Sequence, residues 1–343
     1  MSTDLEVRFK NIYPGKYFLS FSKEDLNTYL KFRSWLPGEE VIDGIEKAGE
    51  SNMNCVLRVR TNERSFIIKQ ARPWVEKYPQ IDAPVERNAV ETRYLGLMGE
   101  DVELKIQTPE LIGSDTDNFI LVINDLGGEP FSFLYEHNSK LTGEDCKSMM
   151  AYISRLHQLK PVNFPENMAM RVLNHEHIFH FPFIEDNGFK LDDIQSGLEG
   201  ISWIYKRDKV LKQKIESLGK LYLGEGKALI HGDYYPGSWL KTELGFRVID
   251  PEFSHIGHPE FDLGIMIAHL LMTGHSEEII PAMSRYSSEQ AVDNELIAGF
   301  AGTEILRRLL GVAQLPLKLN LENKKALLDQ ASDWILSGMI RHE

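Results

Sequence analysis

The chain has 343 residues, 42% of them hydrophobic, with 51 acidic against 38 basic side chains and a formal net charge of −13. That length holds two lobes and a large buried core. The acidic balance repels phosphate backbones and anionic lipid, which argues against nucleic acid or a membrane surface as partner, and it favours a cationic ligand only weakly because most surface acid serves solvation.

Residues 1–10 alternate charged and apolar side chains and contain no signal-peptide core. No apolar run approaches the ~20 residues of a membrane span, so a soluble, cytoplasmic protein is expected. Ser22 predicts an N-cap, with Glu24 and Asp25 in the first helical turn and the helix ending before Pro37-Gly38. Residues 55–60 alternate Leu57 and Val59 with Arg58 and Arg60, as a half-buried strand does. Residues 61–64 form the turn, and residues 65–70 return as a second strand carrying Lys69. Asp82-Ala83-Pro84 predicts a helix start, with the helix running to about Met98. Residues 119–123 read as a buried strand that ends at the hinge Asn124-Asp125-Leu126-Gly127-Gly128. Beyond residue 130 the pattern is mainly helical, broken by Leu229-Ile230 and by residues 246–249. The expected division is a sheet-rich N-terminal lobe, 1–127, and a helical C-terminal lobe, 128–343.

Phosphoryl transfer asks for positioning and charge neutralisation: a backbone cover and a cation on the phosphates, acids for Mg²⁺, and a carboxylate beside the attacking hydroxyl. His231-Gly232-Asp233 follows one short strand, and Asp250-Pro251-Glu252-Phe253 ends another, with Asp250 lying 17 residues beyond Asp233. In that hairpin layout Asp233 receives or orients the proton of a substrate hydroxyl, and Asp250 offers Mg²⁺ the oxygen ligand a hard cation prefers. Either triplet alone reads equally well as a tight turn or a surface corner; the spacing carries the functional reading.

On these residues the chain resembles the aminoglycoside phosphotransferase and choline kinase superfamily, and within it the 5-methylthioribose kinase family most. Gly237-Ser238 match that family's Gly-Ser where relatives have Asn, residues 250–253 match its DPEF, and residues 257–264 resemble its GPxxFDIG segment. There Asp262 is expected to be structural, near a helix start. Residues 49–54 resemble its GDGNLN phosphate loop, and residues 69–75 its KQALPYV segment.

The resemblance implies a protein-kinase-like α+β fold with ATP bound between the lobes. Gly49, Ser51, Asn52 and Asn54 would lie over the phosphates, Lys69 would contact them, and Glu91 would pair with Lys69. Backbone groups of Ile123, Asn124, Asp125 and Leu126 would meet adenine, and Asp250 with Glu252 would ligate Mg²⁺. Residues 304–311 resemble the family's WEMxRRxxG motif, whose arginines, here Arg307 and Arg308, reach the substrate. Adjacent helical residues point ~100° apart, so both need not face one pocket. Glu91 also reads as an i,i+4 partner of Arg87.

This sequence departs from that pattern at Thr303 (Trp in the family), at Tyr234-Tyr235 (Leu-His) and at Glu50-Ser51 (Asp-Gly). The expected activity is ATP-dependent phosphorylation of a small-molecule hydroxyl, with methylthioribose, giving its 1-phosphate, ahead of choline, an aminoglycoside or another sugar. A non-catalytic nucleotide-binding protein of the same fold is the further alternative, and a homodimer is left open. Residues 174–180 hold three histidines, of which only His177 and His180 stand at a useful helical spacing, and no cysteine or further acid completes a metal site; Cys55 and Cys146 have no CxxC partner, and no GxxxxGK[ST] or GxSxG occurs.

Overall fold

The computed structural model describes residues 4–49, 53–136 and 140–341. Its contacts divide into two compact units, Met1–Gly127 and Gly128–Glu343.

The first unit opens with α1 (Asp4–Ile12) and α2 (Lys23–Phe32), followed by β1 (Ile42–Lys47), β2 (Cys55–Thr61) and β3 (Ser65–Gln70). Then come α3 (Arg87–Glu100), α4 (Leu104–Gln107), β4 (Leu111–Asp115) and β5 (Ile120–Asn124), and the strands form one antiparallel sheet in the order β1-β2-β3-β5-β4. Ser22 caps α2, its side chain accepting from the Asp25 N–H at 3.3 Å. The helix stops at Phe32, ahead of Pro37, because Ser34 turns the chain with φ 60°. Leu26 and Leu30 of α2 pack on Leu57, Val59, Phe66, Ile68, Ile120 and Val122, one face of β2, β3 and β5. Each such side chain contributes ~1.5–3 kcal/mol of burial, which holds the sheet against the helix.

The helix expected from residue 82 begins instead at Arg87. The Arg87 side chain decides this: Nη1 donates to the Pro84 carbonyl, Nε to Asn54 Oδ1 at 2.8 Å, and Nη2 to the Met53 and Arg72 carbonyls at 3.0 Å. The bond to Pro84 occupies its carbonyl, so helical pairing starts at Glu86, whose carbonyl accepts from the Val90 N–H at 3.3 Å.

The second unit contains β6 (Glu129–Pro130), α5 (Gly143–Gln158), α6 (Met168–His175), a π-helical turn (Glu176–His180), α7 (Leu198–Lys206) and α8 (Lys209–Leu223). It continues with β7 (Ala228–Ile230), β8 (Trp239–Thr242), β9 (Gly245–Val248), β10 (His255–Gly257), α9 (Pro259–Met272), α10 (Ile279–Glu289), α11 (Asn294–Leu310) and α12 (Leu321–Ser337). Two small sheets, β6-β8-β9 and β10-β7, carry the loops that matter for chemistry. Every residue of α9 except Leu271 is buried, so this helix is a core element packed on all sides. Its close neighbour is α11, and Gly264 permits the approach, since a Cβ there would lie 2.7 Å from Phe300 Cβ.

A sheet-rich first unit and a mainly helical second unit make an α+β protein, as the sequence implied. No helix among the described residues is long and apolar enough to cross a membrane.

Candidate active site

In the first unit, β3 lies between β2 and β5 with Lys69 opposite Val56 and Leu121. Lys69 Nζ meets Glu91 Oε1 of α3 at 2.6 Å, with both side chains almost fully enclosed. Desolvating two charges is expensive, so such a pair holds two elements in register more than it stabilises them. Gly49 is exposed, with φ 76°. Ser51 and Asn52 lie outside the described residues. Asn54 is buried, and its carbonyl oxygen takes the Arg87 bond described above.

Ile123 sits in a strand paired on both edges, and the Asn124 N–H bonds the Glu110 carbonyl at 3.0 Å. Backbone donors outside the ladder therefore begin at Asp125. The Asp125 carboxylate is taken by Arg58 Nε at 2.7 Å and by Ser65 Oγ at 2.6 Å, which holds it ionised despite partial burial. Leu126 follows, half-buried, before Gly127 and Gly128, both with positive φ.

In the second unit, β7 delivers the turn His231-Gly232-Asp233. Asp262, in the first turn of α9, accepts from the His231 N–H at 2.6 Å and the Gly232 N–H at 2.9 Å, and His157 Nε2 lies 3.1 Å from the same carboxylate. Burial works against its charge, but the His157 bond and the neighbouring histidine and N–H groups hold its pKa below the usual value. Its role is thus to build the turn. Gly232 has φ 82°, and a Cβ there would sit 2.4 Å from the Phe253 carbonyl oxygen.

The strand end carrying Asp250 is tied to the same turn. His231 Nε2 lies 3.1 Å from the Ile249 carbonyl, Ser254 Oγ donates to Ile230 O at 2.6 Å, and Asn167 Nδ2 donates to Glu252 O at 2.9 Å. Asp250 adopts φ 61°, a left-handed conformation that Asp tolerates and that is concentrated at functional sites. It is partly exposed and Glu252 is buried. Two carboxylates match the demand of Mg²⁺, which takes one or two protein acids and fills its shell with water and phosphate oxygens.

On α11, Arg307 and Arg308 converge. Glu304 Oε1 accepts from Arg307 Nη2 at 3.0 Å and from Arg308 Nε at 2.7 Å, while Oε2 takes Arg307 Nε. His269 Nε2 lies 3.0 Å from Glu304 Oε1, and its Nδ1 lies 2.7 Å from the Tyr135 hydroxyl. Burial alone would raise the Glu304 carboxyl; the two arginines hold it well below the usual range. Burial also pushes His269 down to about 4, so it is a neutral link in this chain.

Both arginines act on Asp233. Desolvation pushes its carboxyl up to about 6, against the opposing pull of Arg308 and Arg307, with Glu304 and Asp250 adding to the rise. Arg308, Arg307, Glu304 and Asp250 therefore all lie close enough to Asp233 for their charges to reach it. A carboxylate of that basicity, partly open to solvent, suits proton transfer near neutral pH.

Glu304, His269, Tyr135 and Tyr235 complete this cluster and were not singled out from sequence. Glu304 had a readable signal, since it stands three and four residues before the two arginines. Of the three histidines at 175–180, His177 is close enough to feel the Arg307 charge, and His180 bonds Glu176 at 2.7 Å.

The chain is 27% identical to a methylthioribose kinase of Bacillus velezensis across 84% of its own length and 85% of that protein. It is 26% identical to a methylthioribose kinase of Bacillus cereus across 86% of each. Among solved structures it is similar to a choline kinase from Streptococcus pneumoniae, with TM-score 0.53 and 15% identity over 92% of this chain and 100% of that one. It is also similar to a spectinomycin phosphotransferase in its AMP-bound complex, with TM-score 0.55 and 14% identity over 92% and 98%. At such identity the likeness shows a shared kinase-like fold. Residues 47–296 match the model of the phosphotransferase enzyme family, and the chain belongs to that family.

Proposed function

We propose that this phosphotransferase transfers the γ-phosphoryl group of ATP to a hydroxyl of a neutral sugar, methylthioribose before others, giving the 1-phosphate. The observation that carries the reading is the convergence of Arg307 and Arg308 on one carboxylate beside Asp233. Two guanidinium groups share a single buried acid and keep donors for an acceptor's hydroxyls, while their charge opposes a quaternary or primary amine. The relatives named methylthioribose kinase support the same choice.

In this reading the acceptor oxygen attacks Pγ, the bond from Pγ to the β-bridging oxygen breaks, and ADP leaves. The acceptor's proton passes to Asp233, whose pKa of about 6 still leaves it ionised at pH 7 and makes it basic enough to hold the proton. Lys69, fixed by Glu91, would bind the nucleotide phosphates, and Gly49 would lie over them. Asp125 and Leu126 offer the hinge backbone to adenine. Asp250 and Glu252 would hold Mg²⁺, which when bound neutralises charge on the phosphate oxygens.

ATP consumption measured across methylthioribose, ribose, choline and an aminoglycoside tests this, with Asp233→Ala as control. Turnover with methylthioribose alone supports the whole reading. Preference for choline or the aminoglycoside would retain the chemistry and remove the sugar assignment.

A further inference from the structure

Tyr235 lies two residues after Asp233, where its N–H bonds the Asp233 carbonyl at 3.1 Å. Its ring is fixed from several directions. The Arg308 guanidinium carbon lies 4.9 Å from the ring centroid, and the His269 ring lies 5.3 Å away at 47°. The tip of the phenol crosses Gly237: a Cβ there would lie 2.4 Å from both Cζ and Oη of Tyr235. Only a residue without a side chain leaves that space.

The phenol is partly exposed, and burial of its surroundings raises its pKa, with Asp233 next in effect and Arg308, Asp250 and Arg307 also acting on it. It is therefore an uncharged hydroxyl set among the four charged groups of the site. Among the described residues none takes Oη in a hydrogen bond. A phenol in that position offers one donor and one acceptor to whatever stands at Asp233.

We infer that Tyr235 is a specificity-determining residue of the acceptor site, hydrogen-bonding a second hydroxyl next to the one that is phosphorylated and so selecting vicinal diols. This rests on the kinase reading above. Arg308 and His269 hold the ring, Gly237 admits it, and the hydroxyl reads the neighbouring carbon of the acceptor. A site built to pair with a substrate hydroxyl discriminates against an acceptor that lacks it, because its own polar group is then left unpaired.

The test is a cycle between enzyme and acceptor. Initial rates are measured for wild type, Tyr235→Phe and Gly237→Ala with methylthioribose or ribose, whichever is turned over, and with its 2-deoxy counterpart. Tyr235→Phe keeps the ring and is expected to lower kcat/KM for the full acceptor about 3- to 10-fold, the effect of one neutral hydrogen bond, with KM for ATP unchanged. With the 2-deoxy acceptor, Tyr235→Phe should be no slower than wild type, since it has no hydroxyl to leave unpaired. Gly237→Ala, which drives the phenol from its place, should reproduce the selective loss, and should add little in a Tyr235→Leu background. An equal loss on both acceptors, or no loss on either, would overturn the inference while leaving the kinase reading intact. A wild type that phosphorylates only amine-bearing alcohols, or none of the acceptors, would remove the reading and the inference together.

Discussion

Arg308 Nε donates to Glu304 Oε1 at 2.7 Å across one turn of α11, and the same carboxylate also binds Arg307. Adjacent arginines on a helix diverge by ~100°, so a shared acid one turn back is what brings both head groups together. His269 then completes the set from α9, so the pair is positioned before any acceptor arrives.

Glu304→Gln removes the charge and keeps the shape. Both arginines would lose their common anchor, and buried cations would be left undercompensated at a cost of ~3 kcal/mol. The expected result is a KM for the acceptor raised at least ~10-fold, little change in KM for ATP, and a lower Tm. Steady-state kinetics and a thermal melt check it.

Asp233→Asn should abolish turnover, by ~10²-fold or more for the loss of a general base. It should also stabilise the protein. The folded carboxyl has a pKa of about 6 against 3.8 for an ordinary aspartate, so its ionisation costs stability progressively from pH 3.8 to about 6 and in full above that. An uncharged amide removes that opposition, and Tm at pH 7.5 should rise by ~2 °C, the order expected for about 1 kcal/mol.

The pH dependence has two separable parts. Activity needs Asp233 ionised, so kcat/KM should fall about tenfold per pH unit below ~6. Stability follows buried neutral histidines: His255 and His269 sit at about 4 in the folded chain against 6.5 for an ordinary imidazole. The unfolded chain takes up protons first, so their contribution is complete above 6.5 and is lost as pH falls toward 4. Melts and initial rates over that range read the two effects apart.

Lys69→Met should remove the buried positive charge that faces Glu91 and lower stability by ~3–5 kcal/mol. Adding Glu91→Leu should recover much of that loss, because two apolar groups replace two desolvated charges. Activity should remain low in both variants, since neither can neutralise phosphate. Chemical denaturation and ATP kinetics on the single and double variants distinguish the two roles.

What could be read from the sequence was what is local. The β2–β3 hairpin announces itself by period-two alternation, and the Ser22 cap by its hydroxyl before Glu24 and Asp25. The His231–Asp233 and Asp250–Glu252 segments are short motifs at fixed spacing. Long-range partners were not legible. Arg87 delays α3 because it reaches back to Met53 and Asn54, and no rule about Pro84 contains that contact. Asn124 read as hinge, but its N–H belongs to the ladder with Glu110. Tyr235 looked like a departure from a pattern, and only the fold brings it against Arg308 and His269.

The most direct test of the central claim is phosphorus NMR of the product mixture from ATP, Mg²⁺ and methylthioribose, run with wild type and with Asp233→Ala. A new phosphomonoester signal, stoichiometric with ADP, is expected in the wild-type reaction alone, and none when choline replaces the sugar. The same signal from Asp233→Ala, or a phosphorylated product from choline but not from the sugar, would contradict it.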